Sequence, residues 1–76
     1  IQASKEWNAE GNFYFKKECY SQAIQCYEEA LKLNPQYEKA LNNKGNALNL
    51  LGRFSEAIEC YSQVLKLNPK DERAWN

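Results

Sequence analysis

Apolar residues recur along this chain in steps of three and four. Trp7, Gly11, Tyr14 and Phe15 fall on one face of a helix spanning about 4–17. Ala23, Ile24, Tyr27, Ala30 and Leu31 make a second stripe, over about 21–34. Ser21 is the expected N-cap of that helix, because its hydroxyl can accept from an orphan amide two or three residues on. Pro35 has no amide hydrogen, so the helix stops at or before Asn34. The pattern then starts again. A helix over about 38–51 meets Gly52, expected as a left-handed C-terminal cap. Another follows over about 55–68 and meets Pro69, and Asp71 is placed to cap a further one. No apolar–polar alternation runs long enough for a strand. Turns this short make neighbouring helices antiparallel, so the expected fold class is all-α.

The chain is similar to itself at a spacing of 34. Leu31 to Pro35 (LKLNP) reappears as Leu65 to Pro69. Gly11-Asn12 maps onto Gly45-Asn46, Ala23-Ile24 onto Ala57-Ile58, and Cys26-Tyr27 onto Cys60-Tyr61. About fourteen of thirty-three aligned pairs are identical, against about two by chance. Trp75 and Asn76 fall on Trp7 and Asn8, opening a third copy. The expected organisation is one unit at 4–37, a second at 38–71 and the start of a third at 72–76.

This repeat resembles the tetratricopeptide repeat. That family's signature runs Trp, Leu, Gly, Tyr, then Ala, an aromatic, Ala and Pro. Trp7, Gly11, Tyr14, Ala23, Tyr27, Ala30 and Pro35 match it, with Glu10 where the Leu belongs. The second unit keeps Gly45, Ala57, Tyr61 and Pro69, and departs at Leu41, Lys44, Leu48 and Val64. The resemblance implies antiparallel helix pairs stacked into a right-handed α-α superhelix. Gly11 and Gly45, with Ala23 and Ala57, are expected to let facing helices approach. Tyr27 and Tyr61 are expected to span to the next unit. Ile58, Tyr61, Val64 and Leu65 are expected on the outer face of the last helix, under a further repeat. Either a parent protein continues, or the chains self-associate through uncapped ends.

Composition narrows the function. Ten Lys+Arg balance ten Asp+Glu, giving a net charge of zero. That is unlike the basic footprint nucleic acid requires. No apolar run approaches a membrane span, and no secretory leader is visible at Ile1–Trp7. There is no His, so neither a Cys₂His₂ metal site nor histidine acid–base chemistry is available. Ser21 and Ser55 have no base partner, and no phosphate-binding loop occurs. Neither an enzyme nor a cofactor is expected. Three cysteines without a paired spacing point to a reducing compartment, the cytoplasm. Cys26 and Cys60 lie one stacking step apart and are expected to stay unbridged, with Cys19 in a turn.

The resemblance also implies an inner wall made by the first helix of each unit. The wall positions are Lys5, Asn8, Asn12, Phe15 and Lys16, then Lys39, Asn42, Asn43, Asn46 and Asn49, then Arg73 and Asn76. Lys5, Lys39 and Arg73 recur one unit apart, as do Asn8, Asn42 and Asn76. The groove they line is expected to take an extended or short helical segment of a partner; carboxamides both donate and accept, so such a ladder can hold an extended peptide by its backbone. The cations beside it favour an acidic or carboxylate-ended protein or peptide partner. Some members of the family clamp chaperone tails with Lys, Asn, Asn, Lys and Arg. Asn12 and Asn43 match that set, Asn8 and Arg73 replace its lysines, and the last position falls beyond Asn76. Phe15 is a candidate apolar anchor or an extension of the core, and Phe13 is expected against its own unit's second helix.

The packing of small residues is testable. Ala23→Leu should overfill the helix crossing and cost on the order of 1–3 kcal/mol, read as a lower midpoint in thermal or urea unfolding.

Overall fold

The computed structural model describes residues 2–67. The expected start of a third unit at 72–76, with Pro69, Asp71, Arg73 and Asn76, lies outside the described residues. Within them, four helices follow in order: α1 (Gln2–Lys16), α2 (Tyr20–Leu33), α3 (Glu38–Leu50) and α4 (Phe54–Leu67). Each bound is within about two residues of its sequence expectation. The helices α1 and α2 form one antiparallel hairpin, and α3 and α4 form the next. The hairpins stack through α2 on α3, giving an all-α helical-repeat superhelix.

The turns explain where the helices stop. Gly52 closes α3 in the left-handed region, at φ 84°. Its amide donates to the Asn49 carbonyl at 3.0 Å, and the Arg53 amide to the Leu48 carbonyl at 2.9 Å. Those two bonds are a Schellman cap. The same cap ends α1, where Glu18 takes φ 62°. The Glu18 amide donates to the Phe15 carbonyl at 2.9 Å, and the Cys19 amide to the Tyr14 carbonyl at 2.9 Å. Glu18 is the 34-residue counterpart of Gly52. It therefore holds a glycine conformation with a β-carbon in place. Between the hairpins, the Asn34 carboxamide oxygen accepts from the Gln36 amide at 3.3 Å, shaping the turn at Pro35.

Ser21 does not cap α2. The tight closure at Glu18–Cys19 puts Cys19 at the N-cap, without a side-chain bond, and Tyr20 is already helical. Ser21 sits exposed in the first turn. Tyr20 is held there by an edge-to-face contact with Phe15, ring centroids 5.2 Å apart.

The core also corrects the expected role of Gly11. Ala23, Ile24 and Tyr27 of α2 pack with Ala47 and Leu48 of α3 and with Ala57 and Cys60 of α4. Gly11 makes room for a ring rather than for a backbone. A β-carbon there would lie 2.7 Å from Tyr27 Cδ1, and one on Gly45 would lie 2.7 Å from Tyr61 Cε1. Each tyrosine fills the notch of its own unit, and Tyr27 also belongs to the buried cluster shared with α3 and α4 of the next. Val64 is fully buried beside Leu41, with Leu31 and Leu65 against them, and Tyr61 is half-buried. Of the residues expected on the outward face of α4, Ile58 is there, joined by Phe54. Ile58 is 63% exposed, where its counterpart Ile24 under α3 is 6% exposed.

Glu18→Gly should stabilise the fold. Relief of the left-handed strain, about 1–2 kcal/mol, outweighs the extra freedom glycine gives the unfolded chain, about 0.4–1 kcal/mol. The net gain of roughly 0.5–1 kcal/mol should appear as a higher urea midpoint with an unchanged m-value.

Candidate functional site

The first helices, α1 and α3, carry the candidate residues and touch one another directly. Three of their asparagines join across the repeat boundary. The Asn43 amide nitrogen donates to Asn8 Oδ1 at 3.1 Å and to Asn12 Oδ1 at 3.2 Å. Asn12 Oδ1 accepts a second bond, from the Tyr27 hydroxyl, at 2.6 Å. The second unit repeats that bond, with the Tyr61 hydroxyl donating to Asn46 Oδ1 at 2.6 Å. The oxygens of Asn12 and Asn46 are thus structural, holding a tyrosine over each glycine notch. The Asn8 and Asn12 amide groups and Asn43 Oδ1 have no partner among the described residues and are not sealed from solvent. They are polar atoms that this network leaves free.

The remaining sequence candidates divide by environment. Lys5, Lys39 and Asn49 are exposed. Asn8 is buried beneath Asn43, whereas Asn42, Asn43 and Asn46 are half-buried. Asn42 Oδ1 is buried with no donor among the described residues. In the first unit the equivalent Asn8 oxygen receives its proton from the following repeat's Asn43. Phe15 is half-buried against the core and Tyr20, so most of its role is packing. Phe13 does not lie against α2. It is 55% exposed, edge-on to Tyr14 with Lys17 Nζ 5.1 Å from its centroid. Arg73 lies outside the described residues.

Sequence reasoning missed Ser4, which is buried and donates to the Ala30 carbonyl at 3.2 Å, tying the start of α1 to the end of α2. Nothing flagged it, because its counterpart in the second unit is Glu38.

Charge is arranged on the other side of the helices. Lys44 pairs with Glu28 at 3.3 Å across the α2–α3 boundary, Lys32 pairs with Glu29 at 3.0 Å, and Arg53 pairs with Glu56. Two clefts open on that side, of about 410 and about 400 Å³. Cys60 lines one and Cys26 the other, and both thiols are free. Burial pushes the Cys26 thiol up, helped by Glu10 and Glu29. Burial also raises Cys60, with Lys44 opposing. Neither is therefore a ready thiolate nucleophile. Among the described residues no cluster of His, Cys, Asp or Glu could hold a metal ion, and no helix is long and apolar enough to cross a membrane.

Tyr27 carries a pH signature. Burial, then the neighbouring Cys26, pushes its phenol up to about 12. In the unfolded chain it ionises near 10. The unfolded state therefore loses its proton first, so stability is intact below pH about 10 and falls as pH rises towards 12. The slope should reach about 1.4 kcal/mol per pH unit from this group. Tyr27→Phe should abolish that share of the alkaline loss. At neutral pH it should cost roughly 0.5–1.5 kcal/mol for the missing bond to Asn12, measured by urea unfolding at pH 7 and at pH 11.

Comparison with known proteins agrees with the geometry. A tetratricopeptide repeat family model matches residues 38–71, and a second TPR repeat model matches residues 11–52. The Hsp70-Hsp90 organizing protein 1 of Arabidopsis thaliana is 40% identical over 47 residues, 62% of this chain but 8% of that protein. The TPR2B domain of yeast Sti1, solved in complex with an Hsp70 peptide, superimposes with a TM-score of 0.94 at 29% identity, covering 99% of this chain and 60% of that one. The TPR domain of Sgt2 from Aspergillus fumigatus gives 0.95 at 29% identity, over 99% of this chain and 50% of that one. This chain thus spans a small part of the plant relative and between half and two thirds of those two domains. Two stacked hairpins with a tyrosine in each glycine notch, together with matches to two family models, place the chain in the tetratricopeptide repeat family, as a protein-interaction module.

Proposed function

We propose that the α1/α3 surface holds an extended, acidic segment of a partner protein by its backbone. The observation that carries this reading is the Asn8–Asn12–Asn43 network. It fixes three carboxamides across the repeat boundary and leaves amide hydrogens on α1 and an acceptor on α3 free. An extended peptide offers alternating acceptors and donors to match. Lys5 and Lys39, exposed on the same helices, supply attraction for acidic side chains.

The relatives suggest a class of ligand. Yeast Sti1 domains are solved with Hsp70 and Hsp90 peptides, and the first TPR domain of Spaghetti (RPAP3) with an Hsp90 peptide, at a TM-score of 0.60 and 27% identity. A terminal-carboxylate clamp fits this chain less well than a backbone ladder. Asn8 stands where the clamp has a cation, and the Asn43 amide nitrogen already donates to Asn8 and Asn12. Titration of a peptide ending in Glu-Glu-Val-Asp, as free acid and as C-terminal amide, separates the two. Backbone recognition predicts similar affinities for both forms, whereas a clamp requires loss on amidation. Lys5→Glu with Lys39→Glu should weaken binding about five- to tenfold without moving the melting midpoint, since exposed charges contribute up to about 1 kcal/mol each. Unchanged affinity in that double variant would remove the cations from the site.

A second reading is a repeat that stacks on a further hairpin or on another copy. Its support is a pair of features on the second unit that have no match among the described residues, Ile58 exposed and Asn42 Oδ1 without a donor, where Ile24 and Asn8 are covered and bonded. Sedimentation equilibrium checks the self-associating form. Dimers that Ile58→Lys converts to monomers would support it, and a monomer at every concentration would exclude it.

A further inference from the structure

The two clefts are one feature seen twice. Trp7, Glu10, Tyr14 and Cys26 line the first-unit cleft, and their 34-residue counterparts Leu41, Lys44, Leu48 and Cys60 line the second. Glu28 of α2 borders both. In the second unit the cleft is flanked by the preceding helix of the same chain. Leu31 packs onto Leu41, Pro35 lines the rim, and Glu28 pairs with Lys44 at 3.3 Å. Leu41 is left 4% exposed. The first-unit cleft has no such cover among the described residues, and Trp7 is 36% exposed. Its charge is also inverted, with Glu10 where the second unit has Lys44, and Glu6 beside it along the outer wall. No cation is paired with Glu6 or Glu10 among the described residues.

We infer that the first-unit cleft docks an amphipathic helix of another protein, one that carries a Lys or Arg three residues before a leucine. The chain supplies the template for this occupant. The α2 helix covers Leu41 with a leucine at position 31 and meets Lys44 with an acid at position 28. A helix seated in the same way on the first unit sets its leucine on Trp7. Its residue three positions earlier faces Glu10, and with the charge inverted that residue is a base. The aliphatic stem of the base lies along the indole while its head reaches the carboxylates of Glu6 and Glu10.

This chain's own helices do not meet that requirement. Stacked by another copy, α2 would set Glu28 against Glu10, a repulsion. The equivalent positions of α4 are Ser62 and Leu65, which give the leucine but no charge. Charge complementarity thus selects a different polypeptide over a second copy. The surface is separate from the asparagine surface on α1 and α3, and the inference does not depend on peptide binding there.

The experiment uses the α2 sequence as probe. Residues 20–35 are synthesised as a peptide cross-linked into a helix on the face opposite Leu31, once unchanged and once with Glu28→Lys. Binding to the whole chain is measured by calorimetry, and the site is located by the Trp7 indole proton signal. The Glu28→Lys peptide should bind about five- to tenfold more tightly than the unchanged one and shift the Trp7 signal. Glu10→Lys in the protein should reverse that preference, which a merely structural cleft would not do. Glu10 is exposed, so the variant keeps the fold, and its circular dichroism checks this. Equal affinity of the two peptides, no binding of either at millimolar concentration, or a preference that Glu10→Lys leaves in place would overturn the inference. So would a dimer of the chain that buries Trp7 in the absence of peptide, since the occupant would then be a second copy.

Discussion

The structure depends on a tyrosine ring seated on a glycine. In each hairpin the second helix sends Tyr27 or Tyr61 into a space that a single β-carbon on Gly11 or Gly45 would close. The ring is apolar and can be buried, but its hydroxyl must find an acceptor. Asn12 and Asn46, the residues next after the glycines, provide one. Glycine, asparagine and tyrosine are therefore a single device. Loss of the glycine expels the ring, and loss of the asparagine strands a buried hydroxyl.

That device reaches into the surface proposed to bind a peptide. Because Asn12 Oδ1 also accepts from Asn43, the first tyrosine, the first helix and the third helix are linked through one oxygen. The carboxamides proposed to meet a partner are consequently oriented by the core. Such preorganisation lowers the ordering cost of binding. It also means that some residues resembling a binding ladder are part of the packing. Asn12 and Asn46 hold tyrosines with their oxygens, and only what remains of each carboxamide faces outward.

Repetition lets one unit serve as a control for the other. Ile24 is covered and Ile58 open, Leu41 is covered and Trp7 open, Gly52 is relaxed and Glu18 strained. The first two contrasts have the same origin. A stacked array makes chemically equivalent positions physically unequal, because an inner residue has a neighbour on both sides and an outer one does not. The Schellman turn at Glu18 shows the converse. The geometry of the repeat is imposed strongly enough that a glutamate adopts it.

The amino-acid sequence alone determined the helices, their order and the family. Spacings of three and four set the helix faces, Pro35 and Gly52 set two ends, and the 34-residue echo set the stacking unit. These are local or periodic properties, written in neighbouring residues. What it left undecided were the long-range partners. Ser21 looked like a cap until the closure at Glu18 moved the helix start, and Gly11 looked like a place for a helix backbone, where the ring of Tyr27 sits. Val64 looked outward-facing, and Phe13 looked buried. Each of these turns on which of two competing neighbours a side chain meets, and that depends on the angle and depth at which helices cross. Periodicity gives the face of a helix. Only packing in three dimensions decides what that face touches, and so which asparagine oxygens are already taken and which atoms are left for a partner.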